Sequence, residues 1–270
     1  MTTVAPPLDD RFALDPALID DFDRDGHAVV RGLASPAEAA AYRPAIETAA
    51  LDTAWDKRPL DQRDTYGKAF LQSFNLWRVD PVIARFVLAS RFARVAAALL
   101  GVERVRLYHD QALCKEAGGG RTPWHQDQYY WPMDTDRTIT MWMPLVDVPA
   151  EVGSMTFADG SHRLGDLRGQ PISADSDDEF AALIDERGLR TSTHGAMTAG
   201  DATFHAGWTI HSAGPNPTDQ LRTVMTVIYM ADGARVLEDL TVARDLDRLR
   251  WLGGRPPGAT ADHELNPVLG

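Results

Sequence analysis

The sequence predicts a mainly β domain with flanking helices, in which an antiparallel sandwich or barrel forms the core. Two observations carry that prediction. From Val102 onward the chain breaks into short runs rich in β-branched and aromatic residues between turn signals. Before that point the runs are longer and carry helix caps. A chain of 270 residues suits a single β unit with added helices. One domain over 1–270 is expected, with a helical N-terminal part at about 15–100 and a β core at about 102–235.

Taken in order, the Asp25-Gly26 turn precedes one early strand, His27 to Arg31. Ser35-Pro36-Ala37-Glu38 then supplies an N-cap, a proline at the first helical position and a glutamate three residues after the cap. These predict a helix to about Ala50. Asp80-Pro81 opens another in the same way, and the run Phe92 to Leu100 stops at Gly101, a helix C-terminus. Strands are predicted at Val105–Leu113, Thr138–Val146, Ser154–Phe157, Leu189–Thr193, Ala202–Phe204 and Leu221–Met230. Within Ser173–Arg187, Phe180, Leu183 and Ile184 recur at helical spacing, so a helix is inserted between strands. The Gly- and Pro-rich tail from Gly253 is expected to pack as irregular chain.

Composition narrows the function. The formal net charge of −12 repels phosphate backbones and anionic lipid, which argues against nucleic-acid and membrane partners. Cys114 is the single cysteine, so no intrachain disulfide forms, and a reducing cytoplasm fits. Met1 to Leu14 lacks a basic start followed by an apolar run. A folded cytoplasmic enzyme or binding domain, neither exported nor membrane-anchored, is expected.

His125 and Asp127 are two apart, so on an extended segment both side chains project from one face. Two imidazoles and one carboxylate form the facial triad of non-haem Fe(II) oxygenases, which leaves positions open for co-substrate and O2. An isolated His-x-Asp is weak evidence. Its support lies downstream in His211-Ser-Ala-Gly-Pro-Asn216-Pro-Thr218-Asp-Gln-Leu-Arg222. If His211 ends one strand and Arg222 begins its antiparallel neighbour, the two meet at one end of a sheet, and the guanidinium can grip a carboxylate.

Together, Trp124-His125-Gln126-Asp127, Gly153 to Arg163, Gly200-Asp201 and the His211–Arg222 segment resemble the phytanoyl-CoA dioxygenase family over roughly residues 15–235. The resemblance implies a double-stranded β-helix, the jelly-roll or cupin-like core. It also implies Fe(II) held by His125, Asp127 and His211, with 2-oxoglutarate chelating the iron at one end and held by Arg222 at the other. O2 then drives its conversion to succinate and CO2 while a substrate carbon is oxidised. Family-like positions for further co-substrate contacts are Gln111 and Trp142. Some relatives carry a hydroxyl two residues after the distal histidine, where this chain has Ala213; Thr218 or Thr223 is expected to supply that donor. Related halogenases have a small residue at the carboxylate position, so Asp127 disfavours halogenation. Hydroxylation, desaturation, epimerisation and cyclisation remain.

Among the eight histidines, His205 competes with His211 for the metal but lacks its sequel. His162 reads as a turn residue, and His27, His109 and His194 show no ligand spacing. Of the aromatic cluster Trp124, Tyr129, Tyr130 and Trp131, we expect Tyr129 and Tyr130 to face the substrate, a small organic molecule such as a secondary-metabolite intermediate in antibiotic biosynthesis. The rival readings are an acyl-CoA hydroxylase of the same family, a zinc hydrolase, which leaves Arg222 unexplained, and a non-catalytic jelly-roll binding module.

Overall fold

Helix caps and strand periodicity organise the chain much as its residues suggest. A computed structural model describes residues 5–152, 154–167 and 171–270. In order it forms α1 (Ala17–Asp25), β1 (His27–Val30), α2 (Pro36–Thr53), β2 (Leu71–Phe74), α3 (Pro81–Val87), α4 (Ser90–Leu100), β3 (Val105–Lys115), β4 (Thr122–His125), β5 (Thr138–Pro144), β6 (Met155–Ala158), α5 (Ala174–Glu186), β7 (Thr191–Thr193), β8 (Ala202–Ala206), β9 (His211–Ala213), β10 (Arg222–Ala231), α6 (Val242–Trp251) and β11 (Val268–Leu269). The α2 cap is the reciprocal one: Glu38 N–H donates to Ser35 Oγ at 3.2 Å, and Ser35 N–H donates to Glu38 Oε2 at 2.7 Å.

Two antiparallel sheets make the jelly-roll core. The large sheet runs β1-β8-β5-β10-β3-β11, with β2 also paired to β3, and the small sheet runs β4-β9-β6-β7. Strand alternation assigns the faces. Met225, Val227 and Tyr229 of β10 pack into one apolar cluster with Tyr42 and Ile46 of α2, Phe86 of α3 and Phe92 of α4. Arg222, Thr226 and Ile228 turn the other way, into a cavity between the sheets. Because helices cover the outer face, β10 is buried on both sides along nearly its whole length. Burying each large side chain of this layer contributes about 1.5–3 kcal/mol.

The structure departs from expectation in three places. β1, β2 and β11 extend the large sheet beyond residues 102–235, and β11 pairs with β3, so the tail is not wholly irregular. Helix α6 has no counterpart in the sequence reading; it buries none of its residues fully, so no apolar stripe marks it, and its signal is the Thr241 hydroxyl accepting from Arg244 N–H. Gly153 of the family-like motif lies outside the described residues. Finally, His211 opens β9 rather than ending a strand, and β9 and β10 lie in different sheets. The turn between them crosses the sandwich because Asn216 ties it to the end of β3. Its Nδ2 donates to the carbonyls of Lys115 and Glu116, both at 3.1 Å, and of Gln220 at 2.7 Å.

Candidate metal and co-substrate site

The site is built where the small sheet meets the inner face of the large one. His125 ends β4 and pairs in register with His211 at the start of β9, which stacks the two imidazoles with centroids 4.1 Å apart. Asp127 follows in a single 3-10 turn. His125 Nδ1 lies 2.8 Å from Pro123 O and His211 Nδ1 lies 2.9 Å from Thr209 O. Carbonyl oxygens only accept, so both protons sit on Nδ1 and both Nε2 lone pairs are presented inward. Those Nε2 atoms lie 3.5 Å and 3.7 Å from Asp127 Oδ1. The donor set, two neutral imidazoles and one carboxylate with all three ligand atoms within 4.8 Å of one another, fits an octahedral divalent ion with open positions.

The second carboxylate oxygen is held by other groups. Asp127 Oδ2 accepts from the Thr140 hydroxyl at 2.9 Å and faces His205 Nε2 at 3.1 Å. Thr140 and His205 are register partners on β5 and β8, so the large sheet delivers both to the same point. His205 therefore stands behind Asp127 and orients it rather than competing for the ion. Burial alone would raise the Asp127 carboxyl, but neighbouring His211 and the adjacent imidazoles of His125 and His205 hold it well below the usual carboxylate range. Burial, then the adjacent His125 and His205, push His211 well down. An ionised carboxylate beside neutral imidazole is the protonation state that ligation requires.

Arg222 opens β10, is 3% exposed, and lines the same cavity as the triad. Burial pulls its guanidinium down to about 10, still cationic at neutral pH. The guanidinium lies 5.3 Å over the Trp142 ring. Gln111 and Trp142 are both register partners of Thr226, on β3 and β5, which brings the two into one row on the cavity face. Gln111 Oε1 accepts from Gln72 Nε2 at 2.9 Å.

Two expected residues are not in the cavity wall. Thr218 stays in the crossing turn, where its hydroxyl donates to Asn216 Oδ1 at 2.7 Å. Its alternative, Thr223, alternates onto the helical side of β10 and donates to Glu47 Oε1 at 2.7 Å. Among the threonines and serines that do line the cavity are Thr122, Thr140, Ser212 and Thr226. Tyr129 is likewise absent from the wall; it packs edge-on against Tyr130, which with Trp131 does line the cavity. A single turn places the two tyrosines on different sides. Trp124 packs instead against the apolar cluster of Phe180 and Ile184 of α5, and its backbone N–H donates to Asp177 at 2.9 Å.

The cavity holds about 270 Å³. Sequence reasoning missed several of its residues. Asp247, Arg250 and Trp251 come from α6, and Tyr66, Phe70 and Phe74 from β2 and the loop before it. Their i, i+3, i+4 spacing on α6 was the one available signal. His109, which lacks ligand spacing, also faces the cavity, pressed against Trp251 at 5.0 Å between centroids. Burial drives its imidazole down to about 4.

Comparison with known proteins agrees with this geometry. An ectoine dioxygenase of Nocardia farcinica is 24% identical over 257 residues, covering 87% of this chain and 83% of its own length. The epimerase SnoN from nogalamycin biosynthesis superposes with a TM-score of 0.76 at 27% identity, covering 95% of this chain and all of that one. SnoN solved with Fe3+, alpha ketoglutarate and nogalamycin RO gives 0.72 at 28% identity, with the same coverage. The family described as Phytanoyl-CoA dioxygenase (PhyH) matches residues 22–224, and with that match this chain belongs to the phytanoyl-CoA dioxygenase family.

Proposed function

We propose that the protein is an Fe(II)- and 2-oxoglutarate-dependent oxygenase in which His125, Asp127 and His211 bind the metal and Arg222 binds the far carboxylate of the co-substrate. The observation that carries this reading is the presence of the buried Arg222 guanidinium in the same cavity as the triad. A zinc hydrolase has no use for that arginine, whereas a dicarboxylate chelating metal at one end needs a cation for the other. Bound iron and 2-oxoglutarate would supply, with O2, an oxidation of the substrate coupled to loss of CO2 and release of succinate.

The chain's own groups do the rest. The two Nδ1–H donors to backbone carbonyls fix the ligand tautomers, and Thr140 and His205 keep Asp127 turned with Oδ1 toward the imidazoles. Gln111 and Trp142 wall the co-substrate against the large sheet, with Trp142 lying under Arg222. Thr122 or Ser212, both in the cavity wall, supplies the hydroxyl donor to the far carboxylate. Tyr130 and Trp131 face the substrate side. The whole chain is proposed to work as one domain, since α6 and β2 supply cavity walls to the β core.

The prime substrate is a small organic molecule oxidised at an unactivated carbon. The SnoN resemblance favours a secondary-metabolite intermediate, and an occupied carboxylate position disfavours halogenation. No helix among the described residues is long and apolar enough to cross a membrane, in keeping with a cytoplasmic enzyme. Anaerobic titration with Fe(II) and then 2-oxoglutarate tests the reading. A visible metal-to-ligand charge-transfer band is expected in wild type and absent in His211→Ala; metal binding without the band in wild type would favour the zinc-type alternative.

A further inference from the structure

The cavity at the triad is too small to hold everything the reaction needs. Its 270 Å³ falls below the ~300–1,000 Å³ that enclose one drug-sized ligand, yet it must take both 2-oxoglutarate and the reacting part of the substrate. The remote part of the substrate therefore lies outside it. Next to the cavity is a second space of about 580 Å³ that shares Tyr66, Phe70, Gln72, Phe74 and Arg250 with it. It is a vestibule to the cavity.

The chemistry of the vestibule is distinctive. One wall is aromatic: Tyr66 and Phe70 meet edge-on at 5.3 Å, and Phe74 stacks on Trp251 at 5.2 Å. At the rim stands Trp55, 74% exposed, with the Arg250 guanidinium 5.2 Å over its ring. Two of the remaining charges pair with each other. Arg58 grips Asp56 through two bonds of 2.9 and 2.6 Å, and Asp64 accepts from Gly67 N–H at 2.7 Å. Arg250 has no carboxylate at ion-pair distance among the described residues; only the longer-range field of Asp247, one turn earlier, reaches it. The rim thus offers an aromatic wall and one arginine without a carboxylate at ion-pair distance, which matches neither a neutral aliphatic chain nor a diphosphate.

We propose that this vestibule binds the remote part of the prime substrate, and that this part is a planar ring system carrying a single anionic oxygen group, a carboxylate or an ionised phenol or enol. The ring lies against the Tyr66, Phe70 and Phe74 wall and the anion meets Arg250, while the carbon to be oxidised reaches inward past Tyr130. The inference rests on the oxygenase reading of the site, since the space for the ring is defined by what 2-oxoglutarate leaves.

Calorimetric titration of the anaerobic protein loaded with Fe(II) and 2-oxoglutarate tests it, using 2-naphthoate, 2-naphthamide and decanoate as probes and recording the charge-transfer band on the same sample. The expected result is binding of 2-naphthoate more tightly than either other probe. Arg250→Gln should weaken 2-naphthoate about fivefold, the scale of a partly exposed ion pair, and leave 2-naphthamide unchanged; Trp55→Ala should weaken 2-naphthoate by removing the surface that holds Arg250 in place. Equal affinity for acid and amide, tighter binding of decanoate, or displacement of 2-oxoglutarate by 2-naphthoate would each overturn the proposal while the band still upholds the oxygenase reading. Loss of the band in wild type would overturn both.

Discussion

Replacing Thr140 with valine should weaken metal binding without touching a ligand. The Thr140 hydroxyl donates to Asp127 Oδ2 at 2.9 Å, beside His205 Nε2 at 3.1 Å, while Oδ1 faces the two imidazoles. Valine keeps the shape and the strand register but removes one hydrogen bond to an ionised group, which is worth about 1.5–3 kcal/mol. The Asp127 side chain is 22% exposed, so the lower figure applies, and about 1.4 kcal/mol is tenfold in affinity. An approximately tenfold loss also sits at the low end of what orienting partners of metal ligands are worth. Anaerobic titration with Fe(II) or Co(II), together with a thermal melt of the apoprotein, measures it. Combining Thr140→Val with His205→Leu frees the carboxylate to bind through both oxygens. That occupies a position the co-substrate needs, so 2-oxoglutarate affinity should fall further than metal affinity. Metal affinity within twofold of wild type in a normally folded Thr140→Val variant would refute the argument that Oδ2 needs these donors.

Arg222→Ala should raise the apparent Kd for 2-oxoglutarate by at least about 30-fold, since truncating one partner of a buried charge pair costs ~2 kcal/mol or more, with Fe(II) binding retained; titration of the iron-loaded protein reads this directly. Asn216→Ala removes two amide protons shared among three carbonyls, at about 0.5–1.5 kcal/mol per donor. Urea unfolding should show a loss of about 1–3 kcal/mol, with weaker 2-oxoglutarate binding because Arg222 is no longer anchored. Burial, and then neighbouring Arg222, bring the Lys115 ammonium down from 10.5 to about 7. Between those values the unfolded chain holds a proton that the folded one has released, so stability rises with pH through that window, and below about 7 the cost of the buried charge is felt in full. Unfolding free energies of Lys115→Met between pH 6 and 8.5 should lack that rise; a slope equal to wild type would mean that Lys115 titrates normally.

Much of the architecture was legible because local signals and tertiary packing agreed. The Ser35 capping box, the Asp80-Pro81 start and Gly101 stop helices where the core needs them to stop. The His-x-Asp pair and the distal His-to-Arg segment are also local, so the residues meeting at the triad were nameable in advance. What was not legible depends on contacts distant in sequence. His205 serves Asp127 only because β5 and β8 align it with Thr140. Thr218 failed as a carboxylate donor because Asn216 claims its hydroxyl, and Thr223 because alternation along β10 turns it to the helices. Asp247, Arg250 and Trp251 were invisible as site residues because α6 buries no residue fully, and an exposed amphipathic stretch gives no hint of the cavity beneath it. The motif pieces Ser161 and Asp201 turn out to be braces: Ser161 Oγ accepts from Ile210 N–H at 2.9 Å, just before His211, and Asp201 accepts from Gly32 N–H at 2.8 Å.

The crossing of the turn between β9 and β10 has a consequence for which acids the enzyme can use. With the triad on the small sheet and its adjoining turn, and Arg222 on the large one, the proposed co-substrate spans the interior and is tied at each end to a different wall. Packed side chains set the interval between facing sheets, close to 10 Å in sandwiches generally, and the Asn216 knot keeps Arg222 from sliding along β3. The gap then works as a gauge of length. If Arg222 holds the far carboxylate, a diacid one carbon shorter should leave the arginine out of reach and one carbon longer should buckle against it, so that selection among keto acids would fall to the spacing of the scaffold rather than to any single contact.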